Sequence, residues 1–100
     1  MGLLFAGPVR NVSAGPVSHT VIMDGIRFEP QELTVKAGDA VVWINRDPFP
    51  HTATTKAGVF DSKTIAAGQS WKYRPIKAGV FPYGRSLHPT MEGTLRVVFP

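Results

Sequence analysis

No cysteine occurs among the 100 residues. That removes disulfides, thiolate metal sites and thiol nucleophiles at once, and leaves cysteine usage silent on redox compartment. Long hydrophobic runs are missing too. Nothing approaches the ~20 apolar residues of a membrane helix, so no membrane span is expected. The opening Met1-Gly2-Leu3-Leu4-Phe5-Ala6-Gly7 is apolar but lacks the basic start and longer apolar core of a signal peptide. Basic runs are absent: 11 Lys+Arg against 7 Asp+Glu leave a net charge of +4, with no basic cluster in sequence and no basic helix face. Nucleic acid is therefore not an expected partner. No segment keeps a 3.6-residue apolar period over three turns, which argues against a helical fold. No nucleophile elbow surrounds any serine, and neither a His-Glu-x-x-His pair nor a glycine-rich phosphate loop occurs, so no enzymatic activity is expected.

What the chain does have is punctuation. Ten Gly and nine Pro divide it into short segments, which favours an all-β protein. The 43% hydrophobic and 18% charged content is that of an ordinary globular domain. One hundred residues make one domain, burying roughly two-thirds of the unfolded surface. Residues 1–18 read as an N-terminal arm or edge strand, and residues 19–100 as the domain proper.

Strand-like runs follow at regular intervals. They are residues 19–24, then Leu33-Thr34-Val35-Lys36, then Ala40-Val41-Val42-Trp43-Ile44-Asn45, whose apolar run suits a strand buried on both faces. Shorter pieces follow at Ala53-Thr54-Thr55 and Val59-Phe60-Asp61-Ser62. Next come residues 69–74, where Trp71 and Tyr73 share a face, Val80-Phe81-Pro82-Tyr83, and finally residues 94–99. Turn signals separate them, Asp24-Gly25, Ala37-Gly38-Asp39 and Lys56-Ala57-Gly58 among them. The sum is about seven or eight strands in a sandwich or barrel. Trp43, Trp71, Tyr73, Phe81 and Phe99 are read as core residues.

Two loops carry chemistry. Asp47-Pro48-Phe49-Pro50-His51 follows the most apolar strand, and its prolines cannot continue a ladder, so His51 starts from a loop. The second loop, Tyr83 to Met91, holds His88 and Met91 three residues apart. Two imidazoles and a thioether on loops between strands suit a small copper site. Taken singly, each residue has a plainer reading: His51 as a solvated loop histidine, Met91 as a gap-filling core residue, and His19 as a surface or structural histidine.

The order of these motifs resembles the cupredoxins, in particular their amicyanin and plastocyanin branches. The resemblance rests on Phe28-x-Pro30, Leu33-x-Val35-x-x-Gly38-Asp39, Val42-Trp43-x-Asn45, Pro50-His51, Gly79-x-x-x-Tyr83 and His88-Pro89-x-Met91-x-Gly93. It runs from about residue 19 to residue 99. It implies a Greek-key β-sandwich with a mononuclear copper site at one end, in which His51, His88 and Met91 are metal ligands. The family loop places its cysteine at the position of Arg85. Thr52 and Asn45 then support the ligands from behind, and Pro89 stiffens the loop. The resemblance also implies an exported protein, periplasmic or extracellular, meeting a redox or copper-donor partner.

Arg85 departs from that pattern. A thiolate supplies negative charge and covalency to copper, whereas a guanidinium is permanently cationic and has no lone pair. Two outcomes follow. With Arg85 turned away, the chain holds copper at a thiolate-free two-histidine, one-methionine site that is not a type 1 blue centre, for copper handling or impaired electron transfer. With Arg85 turned in, the guanidinium fills the former site and the domain is a metal-free interaction or structural module.

Overall fold

The structure, a computed structural model, describes residues 15–84 and 90–100. The N-terminal arm therefore lies outside the described residues up to residue 14. Among the described residues eight strands are formed: β1 (Ser18–Met23), β2 (Phe28–Glu29), β3 (Glu32–Lys36), β4 (Ala40–Asn45), β5 (Thr54–Thr55), β6 (Ser70–Tyr73), β7 (Gly79–Gly84) and β8 (Glu92–Val98). They build two four-stranded sheets, ordered β2-β1-β4-β6 and β3-β8-β7-β5. β1 runs parallel to β4 and β3 parallel to β8, while the remaining pairs are antiparallel. The chain changes sheet at every connection from β2 to β7, giving the expected all-β Greek-key sandwich. Residues 59–62 contribute only an isolated bridge, Thr54 to Asp61, rather than a strand.

Side-chain alternation sets the two inner faces. On β8, Gly93, Leu95 and Val97 are buried while Glu92, Arg96 and Val98 are exposed. On β4, Val41, Trp43 and Asn45 point inward and are fully buried. Val42 and Ile44 are only half-buried, so the expectation of a strand buried on both faces is corrected. A two-layer sandwich leaves the outer face of each sheet to solvent, and β-branched residues are favoured there for their fit to a pleated surface rather than for burial.

Trp43 is the centre of the core. Its ring meets Tyr83 edge-on at 5.5 Å, Phe60 at 5.6 Å and Trp71 at 5.4 Å, and Phe28 meets Tyr83 at 4.7 Å. Trp71 and Tyr73 stack at 5.7 Å with nearly parallel rings, as their shared face requires. Burial pushes the Tyr83 hydroxyl up to about 12, with the Trp43 indole N–H acting weakly in the opposite sense. Gly93, opposite Tyr83 in the ladder, has to lack a side chain, because a Cβ there would lie 2.6 Å from the Tyr83 ring. Phe99 is not a core residue: it is 81% exposed. Alternation would turn it inward, but β8 ends at Val98 and the chain leaves the ladder before Phe99 is reached.

His19 is structural. Its Nε2 lies 3.0 Å from Asp39 Oδ2, and the same carboxylate accepts the backbone N–H groups of Val17 at 3.0 Å and Lys36 at 3.1 Å. Asp39 thereby ties the start of β1 to the β3–β4 turn. The Val17 N–H, then His19, then the Lys36 N–H hold its carboxyl down at about 2. A depressed carboxylate stabilises the fold above its unfolded value of about 3.9 and loses that contribution as pH falls toward the folded value. Stability in urea is therefore expected to drop between about pH 4 and pH 2, with a shallower acid limb in Asp39→Asn. An unchanged limb in that variant would remove Asp39 as its cause.

Candidate metal centre

β4 stops at Asn45 because Pro48 and Pro50 cannot supply ladder hydrogen bonds. The loop that follows is held from inside by Asn45, which is fully buried. Its Nδ2 donates to the carbonyls of Phe49 and Ile65, each at 2.9 Å, and its Oδ1 accepts the Asp47 N–H at 2.9 Å. The support expected of Asn45 is thus directed to the backbone that carries His51. A further pair of backbone bonds, His51 N–H to Ile65 O at 3.1 Å and Ile65 N–H to His51 O at 2.8 Å, closes the far side.

His51 is 1% exposed. Its Nε2 lies 2.6 Å from Asp47 Oδ2. Asp47 is buried as well, and accepts the Gly25 N–H at 2.8 Å and the Ile26 N–H at 3.0 Å. Burial pushes its carboxyl up, but His51 and the Ile26 and Gly25 N–H groups together outweigh that and hold it below its ordinary value. An ionised Asp47 places the imidazole proton on Nε2. The other nitrogen, Nδ1, is then a lone pair, buried and without a hydrogen-bond partner among the described residues. A carboxylate behind one ring nitrogen with the other left bare is the arrangement of a metal-ligating histidine. Left unmatched, a buried acceptor costs about 1–3 kcal/mol, so the site calls for a metal or a donor at Nδ1.

Met91 is 1% exposed and belongs to the same core as Trp43 and Tyr83. Gly84 makes its position available: a Cβ on residue 84 would lie 2.7 Å from the Met91 carbonyl oxygen. Gly84 pairs with Thr54 of β5, three residues beyond His51, and with Glu92 of β8, next to Met91. His51 and Met91 are thus carried to the same end of the sandwich. Phe49, 40% exposed, packs edge-on against the His51 ring at 5.2 Å. Thr52, half-buried, is itself engaged. Arg85, His88 and Pro89 lie outside the described residues. Among the described residues no three His, Cys, Asp or Glu side chains gather in a metal-binding group.

Asp47 is the residue of the candidate site that sequence reasoning missed. It reads as a turn residue ahead of Pro48, and only its place four residues before a candidate ligand histidine pointed further. The tertiary contact to the Gly25–Ile26 turn, more than twenty residues away in sequence, makes it a buried and fully bonded carboxylate.

Comparison with known proteins agrees with the fold. The family described as copper binding proteins, plastocyanin/azurin family, matches residues 16–98. Amicyanin from Paracoccus denitrificans is 31% identical over 98 residues, covering 85% of this chain and 75% of that protein. Chloroplastic plastocyanin from Tetradesmus obliquus is 36% identical over 66 residues, covering 66% of this chain and 39% of that protein. Among solved structures, the oxidised state of an amicyanin proline-to-alanine variant superposes with a TM-score of 0.76 at 32% identity, covering 87% of this chain and 86% of that one. A Cu(I) form of an amicyanin methionine-to-alanine variant gives 0.76 at 30% identity, over 81% and 82% of the two chains. With its two-sheet sandwich, its buried histidine after β4 and its methionine before β8, the chain belongs to the plastocyanin/azurin family of copper-binding proteins, the cupredoxins.

Proposed function

We propose that this cupredoxin binds copper at a thiolate-free site formed by His51, His88 and Met91, and serves copper handling or a slow form of the family's electron transfer. One observation carries the reading: the buried His51 has its Nε2 fixed on Asp47 and its Nδ1 lone pair unmatched among the described residues. Imidazoles and a thioether form a soft, largely neutral donor set, which suits Cu(I). When bound, copper would supply one-electron chemistry or act as cargo. The protein's own part is to hold the His51 tautomer through Asp47, to brace the loop through Asn45, and to keep His51 and Met91 out of bulk water. Without cysteine the donor set does not fit a blue centre. By family likeness, the protein is exported to the periplasm or beyond and meets a redox or copper-donor protein.

The second reading is a metal-free module. It is favoured by the fixed positive charge of Arg85, whose N–H groups are suitable donors to the His51 Nδ1. Copper separates the two. A ligand bound only by the folded state at a hundred times its Kd adds about 2.7 kcal/mol, which for a domain of this size raises Tm by more than about 10 °C. The copper-binding reading expects that rise with Cu(I), one metal per chain after equilibrium dialysis, and the loss of both in His51→Ala. No shift and no retained metal would leave the plugged site standing.

A further inference from the structure

Carboxylates are distributed unevenly along the sandwich. Six of the seven carboxylates, Asp24, Glu29, Glu32, Asp47, Asp61 and Glu92, lie toward the end that holds His51 and Met91, where Arg27, Arg46 and Lys63 stand among them. Strand register puts them there: Glu29 pairs with Ile22 near the end of β1, Glu32 opens β3, and Glu92 pairs with Gly84. The seventh, Asp39, sits at the opposite end but is buried and taken up by Val17, Lys36 and His19.

That opposite end is built around the turn at Ala37 and Gly38. The Ala37 N–H donates to Val98 O at 2.8 Å, the Gly38 N–H donates to Pro75 O at 2.8 Å, and Arg74 Nη1 donates to Gly38 O at 2.6 Å. These bonds draw the ends of β3, β6 and β8 to one turn. Three exposed cations, Lys36, Arg74 and Lys77, surround it. Two large apolar side chains stand out among them. Ile76 follows directly on Pro75, Phe99 follows directly on Val98, and each is 81% exposed. No run in the sequence announces this cluster, because its members come from three separate segments.

We propose that this end of the sandwich docks on an anionic phospholipid surface. Lys36, Arg74 and Lys77 would meet the headgroups, Ile76 and Phe99 would enter the interface, and the histidine end would face away. Charge complementarity argues for an anionic surface, because the side-chain carboxylate at this end, Asp39, is buried and already bonded. The apolar side chains decide for lipid over an acidic protein. A protein partner needs a continuous patch of about 800 Å² on each side. Here the apolar groups are single residues projecting beyond the strand ends and flanked by cations, a pattern suited to headgroup depth.

The test is co-sedimentation of the full chain with phosphatidylcholine vesicles and with vesicles containing a quarter phosphatidylglycerol. The expected result is binding to the second and not the first, weakened by salt. Each cation near such a surface raises partitioning about five-fold. Lys36→Gln with Lys77→Gln should therefore lower binding about thirty-fold, and Ile76→Ser should lower it further with Tm unchanged. The pair Lys56→Gln with Lys63→Gln removes the same charge elsewhere and should do far less. An equal loss with that control pair would reduce the effect to net charge and overturn the proposal. So would no sedimentation with either vesicle, and so would retention on immobilised polyglutamate without vesicle binding, which would point to an acidic protein surface.

Discussion

An Arg85→Cys protein loaded with Cu(II) is expected to turn intensely blue or green, whereas the protein with Arg85 stays pale at the same loading. The change exchanges a fixed cation for a thiolate at the position that the resemblance assigns to the family's cysteine. At about 4 Å, a guanidinium opposes each unit of metal charge by about 1 kcal/mol in water and about 4 kcal/mol at the effective dielectric of a partly buried site. Removing that repulsion and adding a soft anionic ligand both favour Cu(II), so tighter Cu(II) binding should accompany the colour. Absorption spectroscopy with a parallel metal assay checks both. A variant that binds copper without colour would mean that the ligand loop has left the family geometry, and the assignment of His88 and Met91 would have to be given up.

Replacing Asp47 by Asn is expected to weaken both the fold and the site. The carboxylate accepts from Gly25, Ile26 and His51 within a buried pocket. An amide can accept at its oxygen only, and its NH2 group would then face an N–H donor. Hydrogen bonds to a charged acceptor contribute about 1.5–3 kcal/mol each, so a loss of about 2–4 kcal/mol is expected in urea denaturation. The copper effect has a separate cause. An amide donor facing Nε2 moves the imidazole proton to Nδ1 and closes the lone pair that would hold the metal. Loss of such a partner typically lowers metal affinity 10–100-fold. A competition titration measures that loss. Wild-type affinity in Asp47→Asn would show that the carboxylate serves the loop alone. Asp47→Ala separates the effects differently, since it costs stability while leaving the imidazole free to keep its tautomer.

Much of the fold was legible because strand alternation and turn residues are local properties. The runs at residues 19–24, 33–36, 40–45 and 80–83 match β1, β3, β4 and β7 to within a residue or two, and the Pro-rich stretch correctly ends β4 ahead of His51. Errors arose where the outcome depended on neighbours. The apolar run of β4 says that the strand is in a sheet, but not that Val42 and Ile44 would face solvent across a sheet with only one covered face. Phe99 continues an inward alternation, yet the ladder that would enforce it ends one residue earlier. The support role given to Asn45 was readable from its place in the family pattern. That of Asp47 was not, because a turn aspartate ahead of a proline usually bonds its own backbone.

By itself, the sequence determined that no thiolate of this chain can bind metal, since it contains no cysteine. It also determined the strand content, through periodicity, and the loop origin of His51, through Pro48 and Pro50. Only the tertiary structure decided which nitrogen of His51 faces a carboxylate, because Asp47 is held in place by the distant Gly25–Ile26 turn. It likewise decided that Lys36, Arg74 and Lys77 share one end with Ile76 and Phe99. Hydrogen bonds to a single turn bring those residues together, and no local pattern in the chain encodes such contacts.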